Sequence, residues 1–201
     1  QLGPDFEVQH FTRTRRYWSV FMKVRYTGET PFYQEPIEHL TRQTGPYIDI
    51  FPLDEVPEAY SKGQRRQKII FGRLRKALSY KMGDTRPKAR VVRRSLLKLA
   101  AKLTPAPLLY KMVDLTYRRY GTGHKHYVNL ASYYGVKKQT FPKEYYGDGR
   151  MQAFEGHSLR IPREAEKILE TVYGDYMRLP PMSGRKLKHS FSVRSGGAEK
   201  R

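Results

Sequence analysis

The segment Tyr47-Ile48-Asp49-Ile50-Phe51 sets one carboxylate inside an apolar run bounded by Gly45-Pro46 and Pro52. Such a run reads as a buried strand. A carboxylate buried there is costly unless it is paired or bound to a metal. Hard cations such as Mg²⁺ take oxygen ligands, commonly one or two carboxylates plus substrate phosphates, so Asp49 is a candidate metal ligand. The competing arrangement is an Asp at a strand edge, paired with Arg or capping a turn. Local sequence favours that one, because ion pairs explain many acids of this kind. Lys23 and Arg25 are alternate residues of a β-rich stretch, Ser19–Tyr26, and fall on one strand face. Two cations so placed could grip phosphates, Arg bidentately and Lys as a point charge. A solvated strand face would show the same pattern. Glu155 is followed closely by His157, and either could act as a base or touch an acceptor. His124 and His126 would share one side of a strand. Without acidic or thiolate neighbours they are a weak metal signal.

The elements that must position these residues change character along the chain. Residues 1–53 read as strands and loops, with Phe6–His10 alternating apolar and polar. Residues 57–120 read as helical. Pro57 suits a helix start, and Ile69, Ile70, Leu74, Leu78 and Met82 recur at helical spacing. A second helix is expected from about Lys88 to Leu103, with Leu96, Leu99 and Leu103 on its apolar side, and a third beyond Pro107. Residues 121–161 return to short strands, including His157–Ile161. A last helix is expected from Pro162 to Tyr173, closed by Gly174.

Composition bounds the function. The 201 residues carry 39 Lys and Arg against 19 Asp and Glu, a net charge of +20. Such a chain attracts polyanions: nucleic acid, anionic lipid or phosphorylated substrates. Ser61–Leu103 alone holds fifteen cations and one acid, a net +14. An apolar stripe beside those charges could lie on an anionic membrane surface, or the segment could be a basic helical insertion with its charges in water. No cysteine is present, which excludes disulfides, thiol nucleophiles and thiolate metal sites. No apolar run reaches the length of a membrane span.

The block Tyr47-Ile48-Asp49-Ile50-Phe51-Pro52-Leu53-Asp54 resembles the signature of the LicD family of phosphotransferases. Phe6–His10 followed by Phe21-Met22-Lys23-Val24-Arg25 resembles the paired strands that precede it. Phe154-Glu155-Gly156, Ile161-Pro162 and Tyr173-Gly174-Asp175-Tyr176-Met177-Arg178-Leu179-Pro180-Pro181 resemble the family's C-terminal run. Arg185 and His189 stand where family members often carry a basic residue and a His. The resemblance spans roughly residues 5–190, in the family's order.

It implies an α+β, nucleotidyltransferase-like mixed sheet with a helical insertion. It also implies transfer of phosphocholine, or a similar alcohol phosphate, from a CDP-activated donor to a cell-surface glycan such as lipopolysaccharide or teichoic acid. The cofactor implied is Mg²⁺ or another divalent cation, which would neutralise a diphosphate and orient an in-line attack by an acceptor hydroxyl. Asp49 matches a third metal-binding acid. An acidic pair, spaced Asp-x-Asp, lies in the family upstream of the region matching Phe6, and this chain has no such segment. The chain therefore reads as an N-terminally truncated piece with little catalysis of its own. The expected site is Asp49 as metal ligand and, with Glu155, as a catalytic residue, and Lys23, Arg25, Arg185 and His189 as substrate- or phosphate-binding residues. The expected organisation is one partial domain over 1–182, with the insertion at about 57–120 and a basic, flexible tail over 183–201. The expected setting is the cytoplasm, peripheral at the inner membrane face, with a glycan or glycolipid acceptor and anionic membrane contact through 61–103. The alternative is a non-catalytic basic protein that binds nucleic acid or a membrane surface; no nucleic-acid motif accompanies the charge, and no specific nucleic acid is expected.

Overall fold

Strand alternation becomes structure only once register fixes which residues share a face. The computed structural model describes residues 3–11, 13, 14, 17, 19–30, 32–34, 45–57, 60–82, 92–179, 181–185 and 191–193. In chain order the elements are β1 (Phe6–Gln9), β2 (Met22–Tyr26), β3 (Phe32–Gln34), β4 (Tyr47–Ile50), β5 (Asp54–Val56), α1 (Lys62–Lys81), α2 (Val92–Leu103), α3 (Ala106–Tyr117), β6 (His126–Val128), β7 (Thr140–Pro142), β8 (Arg150–Phe154), β9 (His157–Ile161), α4 (Ala165–Tyr173) and β10 (Phe191–Val193). The described residues thus form an α+β chain with small antiparallel sheets β1-β2-β4, β3-β10, β5-β6-β7 and β8-β9. Its contacts fall into two compact units: residues 1–51, 72–113 and 186–201, and residues 52–71 and 114–185. β10 lies within the stretch expected to be a flexible tail and pairs with β3.

In the first unit β2 is the central strand. Glu7 faces Arg25 and Gln9 faces Lys23 across β1-β2; Asp49 faces Lys23 and Tyr47 faces Arg25 across β2-β4. Partners in register share a face. One face therefore carries Glu7, Gln9, Lys23, Arg25, Tyr47 and Asp49, and the other Phe6, Val8, Met22, Val24, Tyr26, Ile48 and Ile50. The polar face is the more buried. Gln9 and Arg25 are buried, whereas Phe6, Val8, Ile48 and Ile50 are exposed. This corrects the expectation of a buried strand at Tyr47–Phe51. β4 is paired on one side, and register turns its isoleucines to the exposed face. Gly45 is required just before it, because a Cβ there would stand 1.9 Å from the Tyr26 carbonyl oxygen. The unit's buried side chains include Phe11, Val20 and Val24, Leu74 and Leu78 of α1, Ala101 of α2, and Leu109 and Val113 of α3.

The second unit is held by side chains that satisfy backbone groups. α1 starts at Lys62, not near Pro57, because Ser61 and Gln64 cap it reciprocally. Ser61 Oγ accepts the Gln64 N–H at 3.2 Å, and Gln64 Oε1 accepts the Ser61 N–H at 2.8 Å. This is a capping box, which satisfies two otherwise orphaned donors of the first turn. One turn on, the buried Gln67 amide donates to the Thr116 carbonyl at 2.7 Å, and Lys68 Nζ donates to the Leu130 and Ser132 carbonyls at 2.6 Å each. Phe71 packs edge-on against Tyr117, with ring centroids 4.8 Å apart. α4 starts at Ala165, three residues after the Pro162 expected to open it, and ends as expected at Gly174, whose φ is 75°. Val172 is its one buried side chain.

Ser61→Ala removes one half of the capping box and should cost about 1 kcal/mol, read as a lowered urea midpoint at unchanged m-value. An unchanged midpoint would show that the box does not hold the first turn.

Candidate active site

The polar face of β1-β2-β4 brings three of the expected site residues together. Lys23 Nζ lies 2.6 Å from Asp49 Oδ1, with the two side chains 13% and 30% exposed. The ammonium also stands 3.4 Å from the centroid of the Tyr47 ring, within cation–π range. Local sequence favoured an edge-strand Asp paired with Arg or capping a turn; Asp49 is paired, but with Lys23. Arg25 is 4% exposed. Its Nε donates to Gln9 Oε1 at 3.3 Å, its Nη1 donates to the Gly45 carbonyl, and its guanidinium carbon lies 4.7 Å from the Tyr47 ring centroid. Burial lowers the Arg25 pKa, opposed by Tyr47, Tyr17, Glu7 and Asp49. Tyr17, also buried, donates its hydroxyl to the Phe21 carbonyl at 2.9 Å, and burial raises its pKa.

This geometry separates the two cations. Arg25 is already committed to the strands on either side of it. Lys23 is held by a partly exposed carboxylate on a flexible stem, so it is the cation that an incoming phosphate oxygen could recruit. Asp49 has the oxygen donor chemistry a hard cation requires. Among the described residues no cluster of three or more metal-ligating side chains forms.

The other expected residues stand on other segments of the chain. Glu155 is in the second unit, exposed at the tip of the β8-β9 hairpin. It and Gly156 have φ values of 48° and 78°, the paired positive angles of a tight type I′ hairpin turn. Turn geometry thus accounts for the Glu155-Gly156 pair. Arg185 is exposed in the same unit, its N–H donating to the Met182 carbonyl at 3.2 Å. His189 lies outside the described residues. His124 Nε2 is 2.8 Å from the Tyr120 carbonyl oxygen. His126 stands in β6 opposite Val56.

Sequence reasoning passed over several residues. Gln9 and Tyr47 flank Arg25, and the alternation of β1 and β4 could have placed both on its face. Glu55 accepts from Lys143 Nζ at 2.6 Å and from the His124 N–H at 2.8 Å, and these bonds lower its pKa, the lysine's most. Asp54 is the most unusual. It pairs with Val128 in β5-β6, and its Oδ2 is buried without a hydrogen-bond partner. Burial pushes its carboxyl up to about 6, with Arg118 opposing and Asp114 adding to the rise. His126, whose Nδ1 is also buried and unpartnered, shares its sheet face by register.

Lysine, arginine and aspartate thus share one sheet face with the Tyr47 ring. The chain is 26% identical over 177 residues to the lipopolysaccharide cholinephosphotransferase LicD of Haemophilus influenzae, covering 82% of this chain and 64% of that protein. The likeness supports a distant LicD-like relationship. The chain spans less than two thirds of that relative's length. No protein-family profile matches the chain, and no solved structure matches it.

The buried Asp54 gives a pH signature with a definite sign. Its folded pKa of about 6 exceeds the reference 3.8, so the folded chain holds the proton more tightly. The stability this confers is full below the reference value and is lost as pH rises through about 6. Asp54→Asn keeps a neutral group at every pH. It should melt higher than the parent above pH 7, and the gap should close near pH 4. Equal melting of the two proteins at both ends of that range would mean that Asp54 titrates normally.

Proposed function

We propose that the chain is the core of a LicD-like transferase. It moves phosphocholine, or a similar alcohol phosphate, from a CDP-activated donor to a cell-surface glycan such as lipopolysaccharide, acting from the cytoplasmic side. The carrying observation is the Lys23–Asp49 pair on β2 and β4, which joins the strand segment Phe21–Arg25 to the Tyr47–Asp54 block that resembles the family signature. The likeness to a named cholinephosphotransferase supports the same reading. In this reading Lys23 meets a donor phosphate, and Arg25 positions the face by holding β1 and the approach to β4. Asp49 is one oxygen ligand of a divalent cation, Mg²⁺ by the resemblance, whose role when bound would be to neutralise the donor's diphosphate. A nucleotidyltransferase-like fold belongs to the same proposal. Glu155, Arg185 and His189 enter only as acceptor-side contacts.

The test must separate lost chemistry from lost fold. Asp49→Ala leaves the lysine without its partner in a half-buried setting, which by itself destabilises by about 1–3 kcal/mol. Asp49→Asn keeps an acceptor for Lys23 while removing the charge. Transfer of labelled phosphocholine from CDP-choline to lipopolysaccharide is measured on the protein at its natural length, with Mg²⁺ and with chelator. Asp49→Asn should lower kcat about a hundredfold or more at near-parental melting temperature, and chelation should have a comparable effect. Full activity in Asp49→Asn would remove Asp49 from the site. Absence of transfer from any CDP-activated donor would remove the reaction.

A further inference from the structure

Helix α2 presents outward the side that its sequence pattern would place inside. Leu96, Leu99, Ala100 and Leu103 follow i, i+3, i+4, i+7 spacing, the apolar stripe of an amphipathic helix. Yet α2 buries Ala101 instead, while Leu96, Leu99 and Leu103 are 70%, 55% and 75% exposed. The opposite side of the helix is tied down. Lys98 Nζ stands 5.3 Å from the Tyr80 ring centroid, and Lys81 of α1 donates to the Lys102 carbonyl at 2.7 Å. The leucines are therefore held out on an anchored helix. In α3, Leu108 and Met112 are also exposed, with the exposed Lys111 between them in sequence.

An exposed apolar stripe on a soluble chain marks an interaction surface. Charge selects its occupant. In the first unit Arg73 and Lys76 of α1 and Lys98 and Lys102 of α2 are all exposed, within a stretch of net charge +14. A second copy would bring the same +14 against itself, and such like-charge contact is unfavourable. An anionic bilayer offers hydrocarbon for the leucines and phosphates for the cations in one surface. No described helix is long and apolar enough to cross that bilayer, so the contact is interfacial.

We propose that α2 seats the protein on anionic lipid, with Leu96, Leu99 and Leu103 in the headgroup–acyl boundary and the cations of α1 and α2 on lipid phosphates. This inference does not depend on the transferase reading, since lipid binding and phosphocholine transfer are scored separately.

The experiment is sedimentation of the 201-residue chain with vesicles of phosphatidylcholine alone or mixed with phosphatidylglycerol, at physiological salt. The partner variant replaces Leu96, Leu99 and Leu103 together by Ser, which keeps every charge. These side chains are exposed, so far-ultraviolet circular dichroism should match the parent. The parent should bind the mixed vesicles and not the neutral ones, and the variant's partitioning should fall about tenfold or more. Equal binding by parent and variant would reduce the interaction to charge alone and overturn the proposal. So would failure of the parent to bind mixed vesicles. A parental dimer in light scattering that the variant converts to monomer would assign the stripe to a second copy, and the lipid proposal would fall.

Discussion

The first unit depends on the burial of a guanidinium. Arg25 sits on the central strand with its side chain out of water, where an unsatisfied charge would be prohibitive. It reaches Gln9 on β1 and the Gly45 carbonyl ahead of β4, so one side chain spans the width of the sheet. Lys23 and Asp49, two residues along the same face, repeat the link between β2 and β4. These contacts specify register as well as stability. A slip of one residue would bring Ile48 opposite Lys23 and turn Asp49 toward Phe6 and Val8. Buried polar pairs often add little net stability, because desolvation offsets much of the attraction. Here their effect is to exclude the alternative pairing.

The inversion of this sheet explains what the sequence could and could not reveal. Alternation in Phe6–Gln9 and in Met22–Tyr26 states that the two faces differ, and both strands form where the pattern predicts them. It does not state which face packs. The assumption that isoleucines go inward made Tyr47–Phe51 a buried strand; register with β2 set it the other way. The helices between 57 and 120 were legible from their period, because a stripe recurring over twenty residues of α1 averages out local exceptions. The start of α1 was legible too, in Ser61 and Gln64, whose spacing is a stronger signal than a lone Pro57. Asp54 was not legible. It follows Pro52 and looks like a turn residue, and its burial comes from pairing with Val128, far along the chain.

The same reasoning narrows the candidate site. Sequence placed Lys23 and Arg25 together as equivalent phosphate contacts, since spacing alone cannot distinguish them. Packing does. Arg25 is buried and bonds Gln9 and the Gly45 carbonyl, so it cannot turn to a ligand without giving up both. Lys23 is bound to one partly exposed carboxylate and can exchange partners at little structural cost. Arg25 therefore acts through the strands it holds, and Lys23 and Asp49 are the pair that can meet a ligand. Glu155 resembled a site residue by motif, yet its backbone angle ties it to a hairpin tip, where the Glu-Gly pair satisfies the turn whatever else it does.

Charge and candidate chemistry also reside on different elements. The polar sheet face pairs its charges internally, so it contributes little to the field that a distant polyanion would feel. Ser61–Leu103 holds +14 of the chain's +20 and leaves many of those cations in solvent. A catalytic face needs a few groups fixed at short range, whereas long-range attraction needs many unpaired charges spread over a surface. A chain that required only phosphate chemistry at Lys23 and Asp49 would have no use for that excess on α1 and α2. Exposed leucines beside the excess are equally unnecessary to a fold whose described buried side chains on α2 and α3 are Ala101, Leu109, Val113 and Tyr117. The two surplus features coincide on α2, and coincidence of apolar and cationic surface is what distinguishes a membrane-facing helix from one that is merely solvated.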